Sequence, residues 1–369
     1  MVYFDYCANY PAKKEVLDEL SNAEIKYFGN YNSSHKLGQI TKDFINKTSE
    51  NILKILGFSS DFEVIYTSSA TESNNLAIKG IAYSYSGFGK KILVTELEHS
   101  SINGTLGYLK DCGFTIELIK TMNDGSIDLV DLENKLDDSV ILVCAIFVEG
   151  ETGYIHDIKH ISSIVKKYKN AKLLVDATQG IGKINYDFNC ADLITFTPHK
   201  FGGIIGSGVL IKRKNIVLTP LINGGESNTV YRSGSVPVGI IASINKAIEL
   251  AYKNIDNNFK YVFSIHEYLL NSLKTLNGIT INSFSNPYIV NISIKGIPAF
   301  KVVEYLSNKE IYVSQKSACS IKNTPSKIIM AIYKDRKRAM TSFRISLCEL
   351  TTKEEIDILV NALKELVKW

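Results

Sequence analysis

Between residues 63 and 212 the sequence alternates short apolar, β-branched runs with amphipathic stretches, and this alternation limits what the chain can fold into. The spacing predicts strands over 63–66, 91–95, 115–120, 140–148, 172–176, 193–197 and 208–212. It predicts helices over 71–85, 99–111, 129–136 and 158–168. Strands that alternate with helices build βαβ units and a largely parallel sheet. A sheet covered on both faces needs strands that are apolar on both sides, and these runs are. The period changes after about residue 237. A helical stretch over 238–276, with a break expected at 256–258, precedes strands over 288–293, 311–314 and 343–347. Helices are expected over 299–307, 325–332 and 353–367. That second pattern reads as a smaller α+β domain. The expected division is a large domain over 12–255 and a small one made of 1–11 and 256–369.

The chain of 369 residues suits two or three domains at roughly 150 residues each. With 45% hydrophobic and 22% charged residues it is neither disordered nor collagen-like nor a coiled coil. A formal net charge of +4 gives no reason to expect a direct nucleic-acid binder. The six cysteines are scattered, with no paired zinc-type spacing, and are expected to be reduced thiols. The N-terminus lacks the basic and apolar regions of a signal peptide. The longest apolar run, 140–148, is far short of the roughly 20 residues a membrane span needs. The expectation is a soluble, cytoplasmic protein with no membrane partner.

Several clusters could carry chemistry. Thr67-Ser68-Ser69-Ala70-Thr71-Glu72-Ser73-Asn74-Asn75 follows a strand and opens a helix. Free N–H groups and the positive end of the helix dipole suit a phosphate there, although a simple cap explains the same residues. Asp176 ends a buried apolar strand, where ligands gather in open α/β sheets, with Gln179 three residues later. A structural, capping carboxylate is the alternative. Lys200 follows a strand and precedes Gly202 and Gly203. It could form a Schiff base or be an ordinary turn lysine. His99 starts a helix and could be a packing or capping residue. Cys319 sits among small and polar residues and is a better nucleophile candidate than the other five cysteines, or an incidental loop thiol. In this order the clusters fit one cofactor. Pyridoxal phosphate needs a phosphate cradle, a Schiff-base lysine and a carboxylate that keeps the pyridine nitrogen protonated.

Over nearly its whole length the sequence resembles the cysteine desulfurases of the class V aminotransferase group. The matching stretches are Phe4-Asp5-Tyr6, Phe28-Gly29-Asn30, Ser34-His35, Ser69-Ala70-Thr71-Glu72-Ser73, Asn75-Leu76-Ala77-Ile78-Lys79-Gly80 and Glu98-His99. Val175-Asp176-Ala177-Thr178-Gln179, His199-Lys200, Arg232-Ser233-Gly234-Ser235, Ser317-Ala318-Cys319 and Phe343-Arg344-Ile345-Ser346-Leu347 follow. The resemblance implies the pyridoxal-phosphate type I fold: a mostly parallel seven-stranded sheet, a small α+β C-terminal domain, and a homodimer. It implies Lys200 as the Schiff-base lysine, Asp176 against the pyridine nitrogen, Gln179 at the ring hydroxyl and His99 over the ring, shuttling protons. Ala70, Thr71, Thr197 and His199 would hold the phosphate, and Ser235 would reach the phosphate of the neighbouring subunit. Arg344 and Asn30 would bind the substrate, L-cysteine. Cys319 would take its sulfur as a persulfide, leaving L-alanine. A selenocysteine lyase, another β-lyase, an aminotransferase or a degenerate scaffold are the rival readings.

Four positions depart from the family pattern. Glu149-Gly150-Glu151-Thr152-Gly153 stands where Asn-Asn-Glu-x-Gly is usual, so Gly150 lacks an amide expected to meet the cofactor or substrate. The stretch Gly224-Gly225-Glu226-Ser227-Asn228-Thr229-Val230-Tyr231 matches only at its ends. Lys316 replaces a glycine and is expected to be solvated. Cys348 replaces a small residue and is expected to be a buried packing thiol. The polar stretch 320–324 reads as a mobile arm ended by a helix starting at Pro325. It would span about 15 Å at roughly 3.3 Å per residue. The sulfur acceptor would be a scaffold, tRNA-thiolation or carrier protein. The chain stops at Trp369 just after its last helix, which favours the latter two.

Overall fold

The computed structural model describes residues 1–316 and 324–367. Its strands are β1 (Val2–Tyr3), β2 (Phe62–Thr67), β3 (Lys91–Thr95), β4 (Thr115–Ile119), β5 (Val140–Ile146), β6 (Lys172–Asp176), β7 (Leu193–Phe196), β8 (Gly208–Arg213), β9 (Ile279–Ile281), β10 (Ile289–Ile294), β11 (Ile311–Tyr312) and β12 (Ser342–Ser346). A seven-stranded sheet has the order β2-β8-β7-β6-β5-β3-β4. Strands β7, β6, β5, β3 and β4 run parallel, and β8 is antiparallel to both of its neighbours. The mostly parallel sheet is the one the alternation predicts.

The helices are α1 (Lys14–Lys26), α2 (Lys36–Ile55), α3 (Ala70–Tyr85), α4 (Ser100–Asp111), α5 (Leu129–Lys135), α6 (Ile158–Val165), α7 (Val238–Lys253), α8 (Ile255–Leu273), α9 (Ala299–Asn308), α10 (Lys327–Tyr333), α11 (Arg336–Thr341) and α12 (Lys353–Leu366). Alternate residues of the sheet feed two cores. Leu142 and Cys144 pack with Leu76, Ile78, Ile81 and Leu106 of α3 and α4. Val143 and Ala145 belong to the larger core, with Ile161 of α6 and Ile241 and Ile244 of α7. Every residue of β5 is therefore buried. Full burial on both faces is why the strand reads as an unbroken apolar run.

Beyond α7 lies a three-stranded antiparallel sheet, β12-β10-β9. The N-terminus joins this side of the molecule. Strand β1 pairs with β11, and Ser346 N donates to Phe4 O at 2.7 Å. This brings residues 5–8 alongside β12 and over the carboxyl ends of β5, β6 and β7. No helix among the described residues is long and apolar enough to cross a membrane.

Three local expectations change. The helical stretch breaks at Asn254, not at 256–258, because Asn254 leaves the helical region at φ −129°, ψ 19°. The helix expected from Pro325 begins at Lys327, because Ser326 caps it, its Oγ accepting from Ile329 N at 3.1 Å. Helices α1, α2 and α11 and strands β1 and β9 come in addition to the expected elements.

Candidate active site

Parallel strands leave their ligand crevice at their carboxyl ends. A cavity of about 800 Å³ opens there, lined by the start of α3, the Glu98-His99 segment, the ends of β5, β6 and β7, residues 7–8 and Arg344. Its size lies within the usual range of small-molecule sites.

At one end, Ser69 caps α3, its Oγ accepting from Glu72 N at 3.1 Å. Ala70 and Thr71 form the first turn and line the cavity. Glu72 holds this corner together. Its carboxylate accepts from Ser68 N at 2.7 Å and Ser68 Oγ at 2.6 Å, and from Arg232 Nε at 3.0 Å.

Asp176 ends β6 with its carboxylate nearly buried. Oδ1 accepts from Thr178 N at 3.0 Å, and Oδ2 accepts from Asn74 Nδ2 at 2.9 Å. His99 is the residue before α4. Its Nδ1 accepts from Ser101 N at 3.2 Å and lies 2.9 Å from Ser101 Oγ. Burial holds the imidazole below its usual pKa, so it is neutral at physiological pH. Beside it, burial pushes the Glu98 carboxyl up to about 8.

Lys200 stands on the short 3-10 turn Pro198–Lys200 after β7. Its Nζ donates to the carbonyls of Cys7 at 2.8 Å and Ala8 at 2.7 Å. Burial, helped by the Lys183 ammonium, lowers its pKa to about 8. Gln179 Nε2 also donates to Cys7 O, at 3.0 Å, while its Oε1 accepts from Lys183 Nζ at 2.9 Å. Thr197 Oγ1 donates to Ser207 O at 2.7 Å, so at 2.8 Å it must accept from Nδ1 of His199. Burial takes His199 down to about 4.

Arg344, 3% exposed, donates through Nη1 to Gly150 O and through Nη2 to Asp5 Oδ1, both at 2.8 Å. Its Nε is buried with no partner among the described residues.

Lys200, His99, Asp176, Gln179, Thr197, His199, Ala70, Thr71 and Arg344 are thus brought to one cavity. Ser235 and Asn30 are not. Ser235 is exposed on the loop before α7, and Asn30 is exposed with its Oδ1 accepting from Asn32 N at 2.9 Å. Cys319 lies outside the described residues. Lys316 departs from its expected solvated state. It is 6% exposed, and its Nζ donates to Thr324 O at 2.8 Å. Cys348 is buried beside Tyr6 and Tyr10, and burial pushes its thiol up to about 12. Asn74, Ser101, Lys183 and Asp5 are site residues that the sequence reading assigned no role. A signal existed for Asn74, an amide on the same helical face as apolar Ala77 and Ile81.

An aminotransferase class-V family model matches residues 2–359. The chain belongs to this family. The protein "Cysteine desulfurase IscS" of Dictyoglomus turgidum is 33% identical over 376 residues, covering 100% of this chain and 94% of the relative. A protein of the same name from Buchnera aphidicola subsp. Schizaphis graminum is 33% identical over 377 residues, covering 99% and 92%. Among solved structures, a NifS-like protein superposes with a TM-score of 0.92 at 30% identity, covering 100% of this chain and 99% of the other.

Class-V aminotransferases depend on pyridoxal phosphate, and the groups in the cavity suit it. The α3 N-terminus offers backbone N–H groups to a phosphate. Lys200 has an amine that loses its proton near neutrality. Asp176 keeps lone pairs beyond its two donors for a ring nitrogen. The buried Arg344 Nε, without a partner among the described residues, leaves a donor for a ligand.

Proposed function

We propose that this class-V enzyme is a cysteine desulfurase that works with the residues gathered at the sheet's carboxyl ends. L-cysteine is converted to L-alanine, and its sulfur passes to an acceptor. The observation that carries the reading is the meeting of Lys200, Asp176, His99 and Arg344 around one cavity. Bound pyridoxal phosphate supplies an electron sink for the substrate Cα.

The chain's own residues do the rest. Ala70, Thr71 and His199 hold the phosphate, and Thr197 steadies His199. Asp176 keeps the pyridine nitrogen protonated, and Gln179 meets the ring hydroxyl. Arg344 binds the substrate carboxylate, a task suited to a guanidinium. Lys200 Nζ, now held by the carbonyls of Cys7 and Ala8, would hold the cofactor and, once displaced by the substrate amine, would take the Cα proton as a neutral amine. His99, which lines the cavity, would stack on the ring and shuttle protons, giving one before it takes one. The Cys319 thiolate attacks the substrate sulfur. The new S–S bond forms as the substrate C–S bond breaks, and the electron pair leaves with the substrate carbon. That carbon is then protonated to give alanine.

The working unit is a homodimer in the cytoplasm, in which Ser235 reaches the partner's phosphate and Asn30 assists substrate binding. The acceptor is a carrier, scaffold or tRNA-thiolation protein. The chain divides near residue 255 into a large domain and a small one that includes the N-terminus; the helix break at Asn254 and the pairing of β1 with β11 support this. The test is direct. Purified protein should be yellow and should release alanine from L-cysteine with one added sulfur on Cys319 by mass spectrometry. A colourless protein, or a yellow one that releases no alanine, overturns the assignment.

A further inference from the structure

We infer that Asn74 and Ser101 form a relay that joins Asp176 to His99 and fixes His99 with its proton on Nε2. The inference rests on the reading of Asp176 and His99 as the residues that flank the cofactor ring. Both relay residues are positioning residues.

Donor and acceptor roles along the relay are determined one by one. Asn74 is completely buried. Its amide could be placed in two orientations, but Asp176 Oδ2 is a pure acceptor at 2.9 Å and demands the NH₂. Asn74 Oδ1 then faces Thr195 Oγ1 at 2.5 Å and accepts from it. The second proton of the same NH₂ goes to Ser101 Oγ at 2.9 Å. Ser101 Oγ is therefore an acceptor toward Asn74, which leaves its own proton for His99 Nδ1 at 2.9 Å. The backbone gives the same answer independently, because Ser101 N–H also points at Nδ1, at 3.2 Å. A nitrogen that accepts two hydrogens carries none. The neutral imidazole has its proton on Nε2.

The consequence is chemical. With Nδ1 held as an acceptor, neutral His99 presents an N–H at its other nitrogen. It begins as a proton donor and cannot take a proton at Nε2 until it has given one up. The base that removes the first proton is then Lys200, the neighbouring amine whose proton is loosely held. Through Asn74, the carboxylate opposite the ring nitrogen and the imidazole over the ring share one hydrogen-bond chain. The charged and titratable groups around His99 are Asp176 at the end of β6, Lys200 on the 3-10 turn and Glu98 beside it.

The test uses ¹⁵N-histidine NMR on the whole chain, cofactor-free and loaded. Six histidines are few enough to assign by His99→Gln. His99 should show a protonated Nε2 and an accepting Nδ1. Ser101→Ala removes one donor to Nδ1 and should raise the His99 titration midpoint by roughly half to one pH unit, while Ser101→Thr restores it. Asn74→Ala should also move the midpoint, and the effect should vanish in a Ser101→Ala background. The Ser101 pair decides the matter if Asn74→Ala does not fold. A proton on Nδ1, or a Ser101→Ala midpoint equal to wild type, overturns the relay. In loaded enzyme Ser101→Ala should lower kcat by about three- to tenfold, a part of what a positioned acid supplies, with KM nearly unchanged. Wild-type protein that releases no alanine would refute the desulfurase reading, yet the tautomer would still be measured on cofactor-free protein. Normal alanine release with the wrong tautomer would refute the relay alone.

Discussion

The floor and the rim of the cavity are built differently. On the floor, Asp176, Asn74, Thr195, Ser101 and His99 form a buried chain in which each bond fixes the next. At the rim, the polar groups bond mostly to backbone carbonyls. Lys200 rests on the carbonyls of Cys7 and Ala8, and Arg344 is held by Gly150 O and the Asp5 carboxylate, its Nε without a partner among the described residues. A satisfied buried network is rigid, because any rearrangement leaves an unpaired polar group. Lys200 at the rim can leave for a ligand at the cost of hydrogen bonds to carbonyls that the ligand or water then replaces. The floor holds geometry, and the rim exchanges partners. Substitutions should therefore fail in different ways on the two sides.

The largest effect belongs to the rim lysine. Lys200→Ala should lower turnover by roughly 10⁴-fold or more and give a colourless protein that folds normally, because its loss leaves only carbonyls behind. Absorbance and alanine release measure both. Wild-type turnover in this variant would remove the distinction at its root. Asp176→Ala comes next. It should cost roughly 10²- to 10³-fold in turnover. It should also destabilise the fold by about 1–3 kcal/mol, since Asn74 Nδ2 and Thr178 N lose their acceptor. Denaturant unfolding should show that loss for Asp176→Ala and not for Lys200→Ala. Equal unfolding midpoints would mean that the floor is no stiffer than the rim. Arg344→Lys, a rim change, should raise KM for cysteine roughly 10- to 100-fold through a lost charge-assisted bond, with a smaller effect on kcat. A fall in kcat at constant KM would place Arg344 with the floor.

The two regions were also unequally legible. The floor is framed by strands whose burial on both faces leaves unbroken apolar runs, so β3 and β6 match the expected bounds and β5 ends two residues short of them. Asp176 stood out as the polar end of such a run. Asn74 and Ser101 did not, because their partners come from different elements and no local spacing shows that these five side chains will meet. The rim was harder. Asp5, Cys7 and Ala8 reach the site only because β1 pairs with β11, a contact between residues about 300 positions apart that no local pattern announces. Lys316 misled for a related reason. A lysine next to a polar stretch reads as solvated, yet its stem is buried and its ammonium donates to Thr324.

A gentler probe of the rim is pH. Lys200 has its pKa lowered to about 8, so its reactive neutral amine grows as pH rises. Reloading of cofactor-free protein with pyridoxal phosphate should quicken by roughly tenfold between pH 7 and pH 9 and level off above. The sign follows from the charge type. A lysine is protonated and unreactive below its folded pKa, so the loss must lie on the acid side. A rate that falls across this window would show that Lys200 is not the group that titrates.

The smallest effect tests a rim position directly. Gly150 stands where the family pattern has an asparagine, and a bond to cofactor or substrate was expected to be missing. A side chain is not excluded by space. A Cβ built at Gly150 meets Gln179 Cγ at 3.8 Å, an ordinary contact, and its backbone φ is not in the left-handed region. What Gly150 supplies is its carbonyl, which accepts from Arg344 Nη1 at 2.8 Å, and any residue retains that. Gly150→Asn should therefore fold with a stability within about 0.5 kcal/mol of wild type, as substitutions away from strained or tightly packed positions do. If the new amide reaches the bound substrate or cofactor, one neutral hydrogen bond should improve kcat/KM by roughly two- to tenfold. A loss of turnover with intact folding would show that the open space beside Gln179 is itself used by the ligand. In that case this stretch of the rim is shaped by what it must leave empty, and the absence of the asparagine is part of how the site works.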